Sequence, residues 1–176
     1  MLRLRTLVPC LALPFSLGAQ ASLSRAEQLL RAAVESRGDE QVAYLERLVN
    51  IPSGSLNVTG VREVGRVIGA TLDSLGFASR WVDVPAGMKR AGHLVATHSG
   101  RAGAPRILLI GHLDTVFEGA NQRWVRQDSI GKGAGSSDMK GGDVIILYAL
   151  KALQATGALK DMNITVVMTG DEELPG

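Results

Sequence analysis

The stretch Arg106–Asp114, R-I-L-L-I-G-H-L-D, constrains this chain most. Ile107-Leu108-Leu109-Ile110 is an unbroken apolar run, the pattern of a central strand covered on both faces. It ends in Gly111, and a histidine and a carboxylate follow two residues apart. If that short piece stays extended, His112 and Asp114 point the same way. A histidine at such a place is either satisfied within the structure or a metal ligand. Asp114 is either a cap or turn residue or the group that orients His112.

The rest of the chain supplies more carboxylates at comparable places. Ile164-Thr165-Val166-Val167-Met168 reads as a second buried strand, and Asp171-Glu172-Glu173 follows it. Gly141 to Thr156 lies between the two strands and reads as a helix, closed by Gly157. Strand, helix, strand implies a parallel crossover. The expected fold is therefore α/β: a mixed, mainly parallel sheet flanked by helices. In such sheets the functional crevice lies beyond the carboxyl ends of the strands. A third cluster, Gly133-Ala134-Gly135-Ser136-Ser137-Asp138-Met139-Lys140-Gly141-Gly142, sits in the long connection from 112 to 140. Its glycines suggest a phosphate loop, but Gly131-Lys132 is not followed by Ser or Thr, and Asp138 stands where a dinucleotide loop needs glycine. They read better as a tight backbone turn that presents Asp138, with a flexible surface loop as the plain alternative. Adjacent Glu172 and Glu173 are either solvated at a strand end or split between two tasks, one ligating and one moving a proton.

Three helices precede the strands. Ser24 followed by Glu27 is a capping box for a helix to about Arg37, with Gly38 placed to end it. Asp39 can cap a second helix, which Ile51-Pro52-Ser53-Gly54-Ser55 breaks. A third runs from about Gly60 to Leu75 on the stripe Val61, Val64, Val67, Ile68 and Leu72, with Gly76 as its cap. Short strands follow at 77–84 and 93–97, and Ser99–Pro105 reads as a hairpin-type connection to the strand at 106. His93 and His98 read as strand and turn residues.

Residues 1–21 have the anatomy of an export signal: Arg3 and Arg5, an apolar run from Leu7 to Leu17, and Ala19-Gln20-Ala21 at the cleavage end. The run is too short to span a bilayer and holds Pro9 and Pro14. An exported protein, periplasmic or secreted and free of the membrane after signal removal, is expected. Residues 22–176 form the remaining domain. The signal holds two of the 19 basic residues and none of the 17 acidic ones, leaving 17 of each behind it. Neutrality and 4% aromatic content argue against a nucleic-acid surface. Cys10, the one cysteine, lies in the signal, so any metal must be held by His, Asp or Glu.

Taken together and in order, Gly111-His112-Leu113-Asp114-Thr115-Val116, the Gly133–Gly142 segment and Asp171-Glu172-Glu173 resemble the co-catalytic zinc peptidases and deacylases. That family includes glutamate carboxypeptidases, aminoacylases, acetylornithine deacetylase and succinyl-diaminopimelate desuccinylase. The likeness covers roughly residues 40 to 176. It implies His112 on one zinc, Asp138 bridging two, Glu173 on the second, Glu172 as general acid/base and Asp114 orienting His112. It implies hydrolysis of an amide bond in a small peptide or N-acyl amino acid, with Co²⁺ or Mn²⁺ as substitutes for Zn²⁺. It also implies a further carboxylate ligand, a histidine ligand and an inserted dimerisation and lid domain, none of which this sequence shows. The chain is therefore expected to be the N-terminal part of a homodimeric protein and inactive alone. A non-catalytic binding protein on the same fold is the other reading.

Overall fold

A computed structural model describes residues 22–119 and 123–176. The expected signal segment, 1–21, lies outside them. Helix α1 (Arg25–Glu35) opens on the anticipated capping box: the Glu27 amide donates to Ser24 Oγ at 3.3 Å, and the Ser24 amide donates to Glu27 Oε2 at 2.7 Å. Helix α2 (Gly38–Val49) starts at the glycine expected to end α1 and has no side-chain cap. Asp39 instead lies in its first turn, where a carboxylate meets the positive end of the helix dipole. Helix α3 (Val58–Ser74) is capped by Asn57, whose Oδ1 accepts from the Gly60 amide at 3.1 Å. It buries Val61, Val64, Val67, Ile68 and Leu72, as its 3.6-residue stripe requires. Gly76, at φ +87°, closes it.

The strands are β1 (Ala78–Val82), β2 (His93–His98), β3 (Arg106–His112), β4 (Val125–Gln127), β5 (Ile130–Lys132) and β6 (Asn163–Thr169), with helix α4 (Gly141–Ala155) before β6. The main sheet runs β1-β2-β6-β3. It is mixed, as expected, but of its described pairings only β3 with β6 is parallel; β1–β2 and β2–β6 are antiparallel. The cause is the placement of β6. The crossover through α4 inserts it between β2 and β3, so the strands flanking Ser99–Pro105 never pair and that segment is not a hairpin turn. β6, with Ile164, Val166 and Met168 buried, is laddered on both sides, as is β2.

β3 is accordingly at an edge of the described sheet, not at its centre. Ile107 and Leu109 face the core, while Leu108 and Ile110 are 57% and 61% exposed. The core lies on one face, where Leu94, Ala96, Val166 and Met168 meet Val64, Ile68 and Leu72 of α3 and Leu147 and Leu150 of α4. Gly65 lets α3 approach the sheet; a Cβ there would fall 2.4 Å from the Trp81 ring. The short pair β4–β5, solvent-exposed throughout, lies within the connection read as loop. Its three-residue strands carry no apolar alternation. Among the described residues, no helix is long and apolar enough to cross a membrane.

Two ionisable side chains are fully buried at the start of α4. Lys140 Nζ donates to the carbonyls of Leu48 (3.0 Å) and Ile51 (2.9 Å), which fastens the end of α2 and the chain after it. Asp143 has no hydrogen-bond partner for either carboxylate oxygen among the described residues. Burial pushes its carboxyl up to about 7, against the pull of the His112 and Lys140 charges. The folded state thus holds this proton more tightly than the unfolded chain does. Stability should fall as pH rises from about 4 through about 7, by up to about 4 kcal/mol at ~1.4 kcal/mol per pKa unit. Asp143→Asn should flatten that part of a denaturant-midpoint profile against pH; an unchanged slope would show that another group carries it.

Candidate metal centre

The parallel pair β3–β6 brings the two polar clusters together. Pairing continues past the strands: the Leu113 amide donates to Thr169 O at 2.7 Å. The Ser53–Ser55 segment adds a short parallel bridge on the other side, Gly54 to Thr115. The Thr115 amide donates to Ser53 O at 2.9 Å there. His112 therefore leaves β3 on a backbone held from both sides.

His112 is 5% exposed. Its Nδ1 lies 3.0 Å from the backbone carbonyl of Asp114 and 3.5 Å from the Asp114 carboxylate. A carbonyl only accepts, so Nδ1 carries a proton and Nε2 faces outward. Asp114 does orient His112, with its main-chain oxygen closer than its side chain. Nε2 is 3.1 Å from Asp138 Oδ1 and 3.8 Å from Glu172 Oε2. Burial alone would lower the imidazole pKa, but hydrogen bonds with Asp114 and Asp138 outweigh it and raise the group to about 9.

Asp138 stands in an irregular turn, Ser136–Lys140, between Gly135 and α4, and its peptide bond to Met139 is cis. Gly135 has φ +71°, and a Cβ there would lie 2.4 Å from Thr115 Cγ2. Only glycine combines that backbone with that approach. The glycines of the loop thus shape the presentation of Asp138, as the sequence suggested.

Glu172 and Glu173 are held by Asp114. Their amides donate to Asp114 Oδ1 (3.2 Å) and Oδ2 (3.1 Å). Ser55 Oγ donates to Oδ2 at 2.6 Å. Burial raises the pKa of the fully enclosed Asp114 carboxyl, but His112, Ser55 and the two amides together hold it below its usual value. Glu173 is raised, by burial first and then by the nearby Asp138 charge. One ligating atom each from His112, Asp138 and Glu173 lies within 4.8 Å of the others. Like charges held so close are unfavourable unless a cation joins them. One imidazole nitrogen and carboxylate oxygens are a donor set that suits zinc.

All five residues singled out from the sequence are here. Others were not anticipated. Ser55 looked like part of a helix break. His93 Nδ1 comes within 3.7 Å of Asp171 Oδ1. Arg90 donates to the carbonyls of Leu174 (2.7 Å) and Pro175 (3.1 Å), pinning the chain after Glu173. No spacing rule links 55, 90 or 93 to the motifs; only the sheet order does.

The profile of peptidase family M20/M25/M40 matches residues 108–176. Carboxypeptidase G2 of Pseudomonas sp. (strain RS-16) is 34% identical over 169 residues, covering 93% of this chain and 39% of that protein. The chain belongs to the M20/M25/M40 peptidase family. A second M20-type relative, succinyl-diaminopimelate desuccinylase of Delftia acidovorans, is 29% identical over 138 residues, 74% of this chain and 35% of that protein. Human carnosine dipeptidase 1 shares the fold with a TM-score of 0.66 at 23% identity, covering 82% of this chain and 34% of its own. The chain thus spans about two fifths or less of the length of these relatives. M20 metallopeptidases are zinc-dependent, in agreement with the donor set.

A cation that takes His112 Nε2 must displace its proton. Zinc affinity, read by competition with a chromophoric chelator, should therefore rise roughly tenfold per pH unit between about 6.5 and 9 and level above that. A flat profile over that range would contradict a protonated His112.

Proposed function

We propose that the protein is a zinc-dependent amidohydrolase that cleaves a small peptide or an N-acyl amino acid. The observation that carries this reading is the convergence of His112, Asp138 and Glu173 with a second carboxylate, Glu172, beside them. In it, His112 and Glu173 would each hold one of two zinc ions and Asp138 would bridge them, with Co²⁺ or Mn²⁺ as substitutes. Zinc held there supplies Lewis acidity toward a scissile carbonyl and toward water.

The chain's own residues do the rest. Asp114 fixes the Nδ1–H of His112, so that Nε2 keeps its lone pair for the metal. Through the amides of Glu172 and Glu173, the same carboxylate sets where both glutamates stand. Glu172, exposed and within 3.8 Å of Nε2, takes a proton from water on its carboxylate oxygen. The water oxygen bonds to the carbonyl carbon, the C–N bond breaks, and Glu172 returns the proton to the amine. Two four-coordinate ions take more donors than His112, Asp138 and Glu173 supply, so this reading requires further ligands.

Export, with residues 1–21 removed, is part of the proposal and is supported by their sequence pattern; amino-terminal sequencing of the exported protein tests it. For the chemistry, Glu172→Ala should retain zinc but lower kcat by about 10²–10⁴ toward N-acyl amino acids or peptides ending in glutamate. Loss of zinc from that variant would make Glu172 a ligand. Zinc binding without hydrolysis by the full-length protein would favour a non-catalytic binding role.

A further inference from the structure

We infer that Ser55 is a positioning residue of the zinc site, acting through Asp114. The inference rests on the site reading above. Ser55 comes from the Ile51–Ser55 segment, remote in sequence from every motif of the site. Its hydroxyl donates to Asp114 Oδ2 at 2.6 Å, and both residues are buried, at 1% and 0% exposure. It is the one side-chain hydroxyl bonded to that carboxylate among the described residues.

Asp114 has several donors to satisfy at once. Oδ1 takes the Glu172 amide and faces His112 Nδ1; Oδ2 takes the Glu173 amide and the Ser55 hydroxyl. A carboxylate can accept all of these in its plane, but only in one orientation. Ser55 adds the shortest of these bonds, from a segment separate from both the glutamates and the imidazole. Without it, Oδ2 keeps only the Glu173 amide, and the carboxylate that the two amides and the imidazole share is held less firmly against rotation about its Cβ–Cγ bond.

The backbone around Ser55 is built to hold the hydroxyl there. The Ser55 amide donates to Thr115 O, and the Thr115 amide donates to Ser53 O, so the segment is stitched to the chain just past Asp114. Lys140 anchors its other end through Leu48 O and Ile51 O. Ser53, two residues away and equally buried, has no hydrogen-bond partner for its hydroxyl among the described residues. It is an internal control of the same chemistry and burial.

The test compares Ser55→Ala, Ser55→Thr and Ser53→Ala with the unaltered protein. Zinc affinity is measured by chelator competition, and amide hydrogen exchange of Glu172 and Glu173 by NMR. Ser55→Ala should lose about 10–100-fold in zinc affinity and speed exchange at both amides. Ser55→Thr keeps the hydroxyl and should restore both; Ser53→Ala should match the unaltered protein. With a hydrolysed substrate in hand, Ser55→Ala should lower kcat while KM stays within about twofold. Should Ser55→Ala not fold, Ser55→Cys, a weaker donor of similar size, should show a smaller loss of the same sign. Unchanged affinity and exchange in Ser55→Ala or Ser55→Cys would overturn the inference. So would an equal loss in Ser53→Ala. Zinc affinity and exchange need no turnover, so a failure to hydrolyse anything would sink the amidohydrolase reading without deciding this one.

Discussion

The site depends on one buried carboxylate. Asp114 is fully enclosed, yet its pKa is lowered, because a hydroxyl, two backbone amides and an imidazole offset the cost of burying its charge. Taking an isolated carboxylate out of water costs several kcal/mol. Here the compensation comes from three separate segments: the Ser53–Ser55 bridge, the end of β3 and the turn after β6. None of them makes the arrangement alone.

A different balance holds a few ångströms away. Asp138, Glu172 and Glu173 crowd the outer side of His112; hydrogen bonds with Asp114 and Asp138 raise the pKa of His112 against burial, and burial first, then the Asp138 charge, raise that of Glu173. The inner carboxylate is satisfied by protein donors; the outer ones are arranged for a cation. This division explains how residues of one chemical type give support on one side of the imidazole and a candidate ligand set on the other. Asp143 belongs to neither group. It is buried without a hydrogen-bond partner among the described residues, and no part of the proposed chemistry uses it.

Much of this was legible in the sequence because the candidate ligands lie at strand ends and in glycine-shaped turns, where local pattern is informative. His112, Asp138 and Glu173 could be named from motif and order, and the Ser24–Glu27 box and the α3 stripe from spacing alone. What stayed hidden was non-local. An apolar run reports burial, not neighbours, so β3 read as central when β6 holds that place. The turn-rich Ser99–Pro105 segment suggested a hairpin because nothing local announces a strand that arrives sixty residues later. Gly38 suits a helix end, and it begins α2 instead. Ser55 carried no signal, since its partner is set by the Gly54–Thr115 bridge and not by any period.

The placement of Asp114 has a consequence for when the site can form. It lies 59 residues after Ser55 and 59 before Glu173. Both closures are long, and long closures are slow and entropically costly. A growing chain that has reached α4 already contains His112 and Asp138, but the amides that complete the Asp114 shell belong to residues not yet made. The candidate site is therefore incomplete until β6 docks between β2 and β3.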